Sequence, residues 1–287
     1  MNPHVPFIVG VGRSGTTLLR LMLDAHPHLA IPSETHFLAG MFDHPPEGKE
    51  EFISMLTTAH TWADFRLEAG ELSERIAAMG RFDLACAVRT FYRMYASRFA
   101  KPRWGDKSPP YVQYIKPIFC LLPEARFIHM IRDGRDVALS YRDKWFGPAG
   151  KGGEATAAFW QKTILGARAQ AVDLPVGTYL EIRFEDLLAA PEATLRRVCE
   201  FLNLPWDVAM LAYHQNAALR LGEMGDRTDG HGNIIVSREK RCSIHHHTLH
   251  PPDSGQAGKW RLGLASTEID GFHRVAGDLL GELGYDV

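Results

Sequence analysis

The groups in this 287-residue chain best suited to hold an anion lie near its start, in Gly10-Val11-Gly12-Arg13-Ser14-Gly15-Thr16-Thr17. The apolar run Pro6-Phe7-Ile8-Val9 predicts a strand, the Gly/Ser/Thr stretch a turn, and Thr16 onward a helix. A strand, turn and helix in that order aim backbone N–H groups and the positive end of the helix dipole at one spot, where a phosphate would sit. The spacing from Gly10 to Gly15 is that of a Walker A loop, but Thr16 stands where that motif requires its lysine. The cation is instead Arg13, inside the loop. These residues imply a phosphorylated donor held without the rules of an ATPase.

A second group is Arg132-Asp133-Gly134-Arg135-Asp136, with Ser140 on the helix that follows. Arg132 leaves the carboxyl end of the apolar strand Ala125–Ile131, the edge where α/β sheets place their ligands. Ser140 lies about two helical turns further on. An arginine fork and a hydroxyl so placed can share one phosphate. Taken alone, the same stretch also reads as a solvated turn with local ion pairs.

Alternating elements must position these groups. The reading is a first strand, a helix through about Asp24, and a short strand at Leu29–Pro32. Mostly helical sequence follows from 37 to 103, including Trp62–Phe65 and a helix over Phe82–Phe99. Ala125–Ile131 reads as a buried parallel strand, Thr178–Arg183 as another, and Pro191–Leu202 as an amphipathic helix. Residues 222–258 lack periodicity and predict a long loop, and a last helix spans about Ser266–Leu283 with Gly284 as its stop. Repeated βα units imply an α/β three-layer, P-loop-like sandwich around a mostly parallel sheet. The expected organisation is one domain over 1–287, with a helical insertion at about 37–103 and the loop at about 222–258.

A hydrophobic fraction of 45% with 23% charged residues fits a soluble globular chain. A net charge of −2 argues against a globally basic surface for nucleic acid or anionic membrane. Cys86, Cys120, Cys199 and Cys242 show no CxxC pattern, and three lie in apolar helical contexts, predicting buried free thiols in a reducing compartment. No signal peptide or membrane-spanning run is read, and a cytoplasmic location is expected. Trp62, Phe65, Phe91, Tyr92 and Tyr95 are expected in the core or an acceptor-pocket wall, and His129 as a satisfied core histidine. His245-His246-His247, with His231 and His250, suggests a mobile loop near substrate rather than a metal centre.

Together the two anion motifs resemble those of the sulfotransferases that use 3′-phosphoadenylyl sulfate (PAPS). The resemblance spans nearly the whole chain and points to the branch holding tyrosylprotein and many bacterial sulfotransferases. It is carried also by Leu23-Asp24-Ala25-His26-Pro27, Glu34-Thr35, Lys107 in Gly-Asp-Lys-Ser-Pro, Phe184-Glu185-Asp186-Leu187 and Gly258-Lys259-Trp260. It implies that Arg13, Ser14, Gly15, Thr16 and Thr17 bind the 5′-phosphosulfate and that Arg132 and Ser140 bind the 3′-phosphate. Lys144 matches a further donor contact that is normally arginine. Phe184 takes a position usually held by a tyrosine at the adenine, and Lys259 matches a lysine closing over the nucleotide. Arg241 and Ser243, in the basic stretch Arg238–Ser243, are additional anion contacts, although such a stretch also reads as solvated surface.

Sulfuryl transfer requires an in-line acceptor oxygen, a base for its proton, and cations on the bridging and leaving oxygens. Arg13 and Lys107 suit the cationic role, and no metal is required. Where many small-molecule sulfotransferases place a histidine base, this chain has Ser108-Pro109-Pro110, which leaves Glu34 as the candidate base. Such a base works best with its pKa raised by burial. Glu34 also reads as a carboxylate near the N-cap of the following helix. His36 stands where the tyrosylprotein enzymes carry an arginine that contacts acidic peptide. The expected cosubstrates are PAPS, leaving as its desulfated product PAP, and a small-molecule or peptide hydroxyl acceptor, with neither nucleic acid nor a membrane span. Homodimerisation is left open. The rival readings are a P-loop kinase-like phosphotransferase and a non-catalytic nucleotide-binding module.

Overall fold

The computed structural model describes residues 3–142, 144, 147–148, 153–228 and 233–287. Its eight strands are β1 (Val5–Gly10), β2 (Leu29–Ala30), β3 (Arg103–Trp104), β4 (Asp106–Lys107), β5 (Ala125–Ile131), β6 (Tyr179–Arg183), β7 (Arg227–Thr228) and β8 (Ile234–Val236). The first helices are α1 (Thr16–Asp24), α2 (Phe37–Asp43), α3 (Lys49–Thr57), α4 (Ala69–Ala77), α5 (Leu84–Ser97), α6 (Ile115–Leu121) and α7 (Gly134–Tyr141). The later ones are α8 (Gly153–Ala171), α9 (Phe184–Ala189), α10 (Pro191–Leu202), α11 (His214–Leu221), α12 (Arg238–Ser243), α13 (Trp260–Gly263) and α14 (Ser266–Glu282).

β1 and β5 are central because almost every residue in them is apolar and buried on both faces, as a parallel strand between two helical layers requires. The sheet runs β4-β1-β5-β6 with all pairs parallel. Side chains alternate along it. Val5, Phe7, Val9 and Phe127 face the aromatic cluster of the helical segment through α5 and α6. Ile8, Ile128, Met130 and Ile182 face α1, α9, α10 and α11. Val11 and Ile131 join a third cluster with α7, α8 and α14. Both helical faces of the expected sandwich are therefore covered. Phe65, Phe91, Tyr92 and Tyr95 are buried in the first cluster, and Trp62 packs partly buried against it.

The register pairs Ile8 with Lys107 and Gly10 with Met130. Lys107 thus stands beside the strand that feeds the glycine turn. The short β2–β3 pair forms a separate ladder, tied down by a buried ionic network. Arg220 donates to both carboxylate oxygens of Asp24 (2.6 and 2.9 Å) and to the Tyr95 hydroxyl (2.6 Å), and pairs with Glu223 (2.9 Å). Asp24 in turn accepts from the Ile31 N–H at 2.8 Å. Removing one partner strands a buried charge. Arg220→Ala should therefore lower unfolding free energy by about 3–5 kcal/mol, measured by urea denaturation.

Some expectations need correction. Residues 222–258 contain β7, β8, α12 and 3₁₀ turns at His246–Leu249 and Ser254–Gln256. Of the four cysteines, Cys199 is buried, Cys242 half-buried, and Cys86 and Cys120 are exposed on the outer sides of α5 and α6. The Arg132–Asp136 turn is not solvated: Asp133, Arg135 and Asp136 are buried, with Arg135 clamped to Asp133 and its guanidinium 3.6 Å from the Trp260 ring centre. His129 is buried and bonded to the Tyr179 hydroxyl through Nδ1 (2.5 Å), while Nε2 has no partner among the described residues. His231 lies outside the described residues.

Candidate active site

The turn after β1 is shaped by positions that reject a side chain. Gly15 has φ 88°, and a Cβ there would lie 2.2 Å from the Phe184 ring. Arg13 occupies the left-handed region at φ 71°. α1 begins immediately afterwards with no side chain capping its N-terminus, so its first N–H groups are available to an anion. The Ser14 hydroxyl is buried without a partner among the described residues. A buried orphan hydroxyl beside an uncapped helix start suits a phosphate or sulfate ester.

The turn opens into a cavity of about 600 Å³. Arg13, Gly15, Thr16, Thr17, Glu34, Lys107, Arg132 and Phe184 all line it. Arg13 donates from Nε to the Ser140 hydroxyl (3.0 Å) and from its terminal nitrogen to the Ile244 carbonyl (3.2 Å). Burial, then the neighbouring Arg132, pull its pKa below the usual arginine value. Arg132 donates to the carbonyls of Arg13 (3.2 Å) and Gln256 (2.8 Å), and its guanidinium stands 4.8 Å from the centre of the Phe184 ring. Thus Arg13 itself links the two anticipated phosphate sites: its side chain reaches Ser140 and its carbonyl reaches Arg132.

At the other end of the turn, Lys107 Nζ donates to Thr17 Oγ1 (3.3 Å) and Glu34 Oε1 (2.7 Å). Glu34 Oε2 meets His36 Nε2 at 2.9 Å. The Lys107 side chain is 4% exposed and that of Glu34 30%, the latter lining the cavity. Glu34 does not cap α2; that position belongs to His36, which makes no capping bond. The anticipated rise in its pKa is not what the geometry produces. Burial alone would raise it, but Lys107 and then His36 outweigh burial and hold the carboxyl well below its ordinary range.

Glu34 is held through its neighbour Thr35. The fully buried Thr35 hydroxyl donates to Asp106 Oδ2 (2.7 Å) and meets the Tyr111 hydroxyl (2.9 Å), and its N–H donates to the Ser108 hydroxyl (3.0 Å). Burial raises the Asp106 pKa to about 6, against hydrogen bonds that oppose the rise. Asp106 and Lys107 are adjacent on β4, so one short strand anchors the Glu34 loop and presents the cation.

Other anticipated contacts are placed differently. Arg241 lines the cavity, but its guanidinium is engaged by Asp64 (2.5 and 2.9 Å) and the Gly225 carbonyl. Ser243 is exposed and donates to the Lys240 carbonyl (3.0 Å), and Lys259 is exposed and donates to Gln256 (2.6 Å). Neither they nor Lys144, which follows α7, are among the cavity-lining residues. The residues 258–260 are fixed to α7, because Asp136 accepts from the N–H groups of Gly258 and Trp260 (both 2.8 Å).

Lining residues that were not anticipated include Arg20, Tyr141, Arg227 and, in a catalytic setting, His245. Arg20 is, with Asp24, one of two charged residues in the otherwise uncharged and fully buried α1, and a buried charge is itself a signal. Burial, then Lys107 and Arg13, push the His245 imidazole down to about 3, so it faces the site neutral. Among the described residues no group of three His, Cys, Asp or Glu side chains could hold a metal ion, and no helix is long and apolar enough to cross a membrane.

A model described as the sulfotransferase family matches residues 6–208, which span the turn, Glu34, Lys107, Arg132, Ser140 and Phe184. The chain belongs to the sulfotransferase family. Relatives include protein-tyrosine sulfotransferase A of Caenorhabditis elegans, 30% identical over 98% of this chain and 67% of that protein. Nodulation protein NoeE of Sinorhizobium fredii is 26% identical over 99% of this chain and 66% of its own length, so the chain spans about two thirds of these sulfotransferase-family relatives. Among solved structures, the sulfotransferase domain of the curacin biosynthetic pathway superposes with a TM-score of 0.60 at 20% identity, covering 100% of this chain and 99% of that one. The sulfotransferase domain of a Synechococcus olefin synthase gives 0.58 at 22% identity, covering 100% and 96%. These two likenesses support the α/β fold.

Proposed function

We propose that the protein transfers the sulfuryl group of PAPS to an acceptor hydroxyl by in-line displacement, with Glu34 taking the acceptor's proton. The observation that carries this reading is the line Thr17–Lys107–Glu34, in which one ammonium touches both the anion cradle and the candidate base. Residues 13–17 would hold the 5′-phosphosulfate, with Arg13 and Lys107 neutralising charge on the transferring and bridging oxygens. Arg132 and Ser140 would take the 3′-phosphate, and Phe184 would offer its ring face to the adenine. The proton leaves the acceptor oxygen for the Glu34 carboxylate as the new S–O bond forms. The bond from sulfur to the bridging oxygen breaks with its electron pair, and PAP departs. Positioning and fixed charge supply the catalysis.

The acceptor side favours a phenol or alcohol, on a peptide tyrosine or a small molecule, because Pro109, Pro110, Val112 and Phe159 give the cavity apolar walls near Lys107. The deciding experiment offers the protein ³⁵S-labelled PAPS, or in a parallel arm γ-³²P-labelled ATP, with a panel of hydroxyl acceptors in EDTA or in magnesium. Transfer that persists in EDTA is expected. Magnesium-dependent transfer of phosphate from ATP, with no sulfuryl transfer, would replace this reading by the kinase-like one, and donor binding without turnover by the non-catalytic one.

A further inference from the structure

His36 is bound to the candidate base more closely than its place in a loop requires. It is one of five described non-glycine residues with positive φ (59°), a left-handed conformation that an ordinary L-residue adopts only when its surroundings impose it. The surroundings here are Thr35, locked on one side by Asp106 and Tyr111, and Phe37, whose N–H donates to the Thr35 carbonyl at 2.8 Å. Held in this way, the imidazole lines the same cavity as Glu34 and meets its Oε2 at 2.9 Å. The outer face of the ring stacks on His60, with centroids 5.9 Å apart and planes 28° from parallel. The carboxylate is therefore gripped at both oxygens, by Lys107 on one and His36 on the other.

We infer that His36 is a positioning residue for sulfuryl transfer: its Nε2–H holds the second oxygen of the Glu34 carboxylate, so that the base stays oriented toward the acceptor's proton when the donor engages Lys107. The inference rests on the reading of Glu34 as the base. The two grips differ in kind. Lys107 is a cation that the donor's own negative charge will engage, whereas His36 contacts the carboxylate on the side away from the Lys107 bond. Once the donor draws the ammonium toward itself, the His36 hydrogen bond is the contact that still fixes the carboxylate's orientation. The charged and titratable groups around the pair are Lys107 and Asp106 on β4, Arg13, Tyr141 and His245 across the cavity, and His60 with Arg227, Arg241 and Asp64 behind it.

The test compares wild type, H36Q, H36N, E34Q and the double variant E34Q/H36N. It uses saturating labelled PAPS and a phenolic acceptor at one fixed pH. Asparagine tolerates the left-handed backbone, but its shorter amide falls short of the carboxylate; glutamine restores the reach and an N–H donor. Calorimetric PAPS affinity within about threefold of wild type certifies that each variant is folded. H36N is expected to lower kcat about tenfold or more, as loss of a positioned base does. H36Q should keep kcat within about threefold, a rescue by reach and hydrogen bond alone that a merely structural role for the ring would not produce. E34Q/H36N should be no slower than E34Q. The inference is overturned if H36N keeps wild-type kcat, if H36Q is as slow as H36N, or if H36N slows E34Q further. If E34Q itself keeps wild-type turnover, the reading of Glu34 as base fails instead, whatever the His36 variants do.

Discussion

Glu34→Gln is expected to lower kcat about 100- to 10,000-fold while leaving PAPS affinity within about threefold of wild type or slightly tighter. Glutamine keeps the shape of the side chain and a carbonyl to accept from Lys107, but cannot take a proton at neutral pH. The sign of the binding effect follows from charge. Glu34 is an anion 2.7 Å from Lys107 in a cavity built for an anion, so removing its charge frees the ammonium for the donor. A lowered pKa makes the carboxyl a weak base in the resting site, yet its chief counter-charge is the group the donor engages. A sulfuryl group beside Lys107 draws that ammonium toward itself and adds negative charge near the carboxylate, and both effects raise the pKa of Glu34. The base would thus be strengthened by the substrate it serves. Single-turnover measurements with pre-bound PAPS check this directly: a kcat within about threefold of wild type removes Glu34 from the reaction.

How far the sequence carried this picture depends on how local each signal was. β1, the glycine turn, α1, β5 and α10 were legible because the apolar run, the turn chemistry and the helical period all lie within a dozen residues. α8 was not read, although Trp160, Ile164 and Ala167 recur at helical spacing on its buried face. β4 was invisible because two residues carry no period; only pairing with β1 makes Asp106 and Lys107 a strand. The partners inside the site were long-range. That Arg13 reaches Ser140, 127 positions away, or that Asp64 takes up the guanidinium of Arg241, 177 positions away, is decided by tertiary packing alone. The segment 222–258 looked irregular because its elements are single turns and short strands, held by the Arg241–Asp64 pair and by Arg13 and Arg132 on its carbonyls. Residue types that could do chemistry were therefore readable, but which of them were already committed to structural partners was not.

Lys107→Met should cost about 100- to 1,000-fold in kcat, the scale of removing one fixed donor from developing negative charge. Methionine keeps most of the buried stem, so β4 and its pairing to Ile8 should persist and the loss should report the charge. A second consequence separates this role from simple donor binding. Lys107 is the foremost attraction holding the Glu34 pKa down. Without it, burial pushes that pKa up against His36 and the guanidiniums of Arg13 and Arg227 alone among the cations coupled to it. A base that is protonated at higher pH loses activity at higher pH, so the acid limb of kcat/KM must move upward relative to wild type. Stability moves in the same sense. A carboxyl with a depressed pKa stabilises the fold above its unfolded pKa and loses that contribution as pH falls, and the variant should show a weaker acid dependence of unfolding. A Lys107→Met enzyme that is slow but keeps the wild-type acid limb would show that the ammonium serves only the donor; an upward shift would show that Lys107 governs both the sulfuryl group and the base.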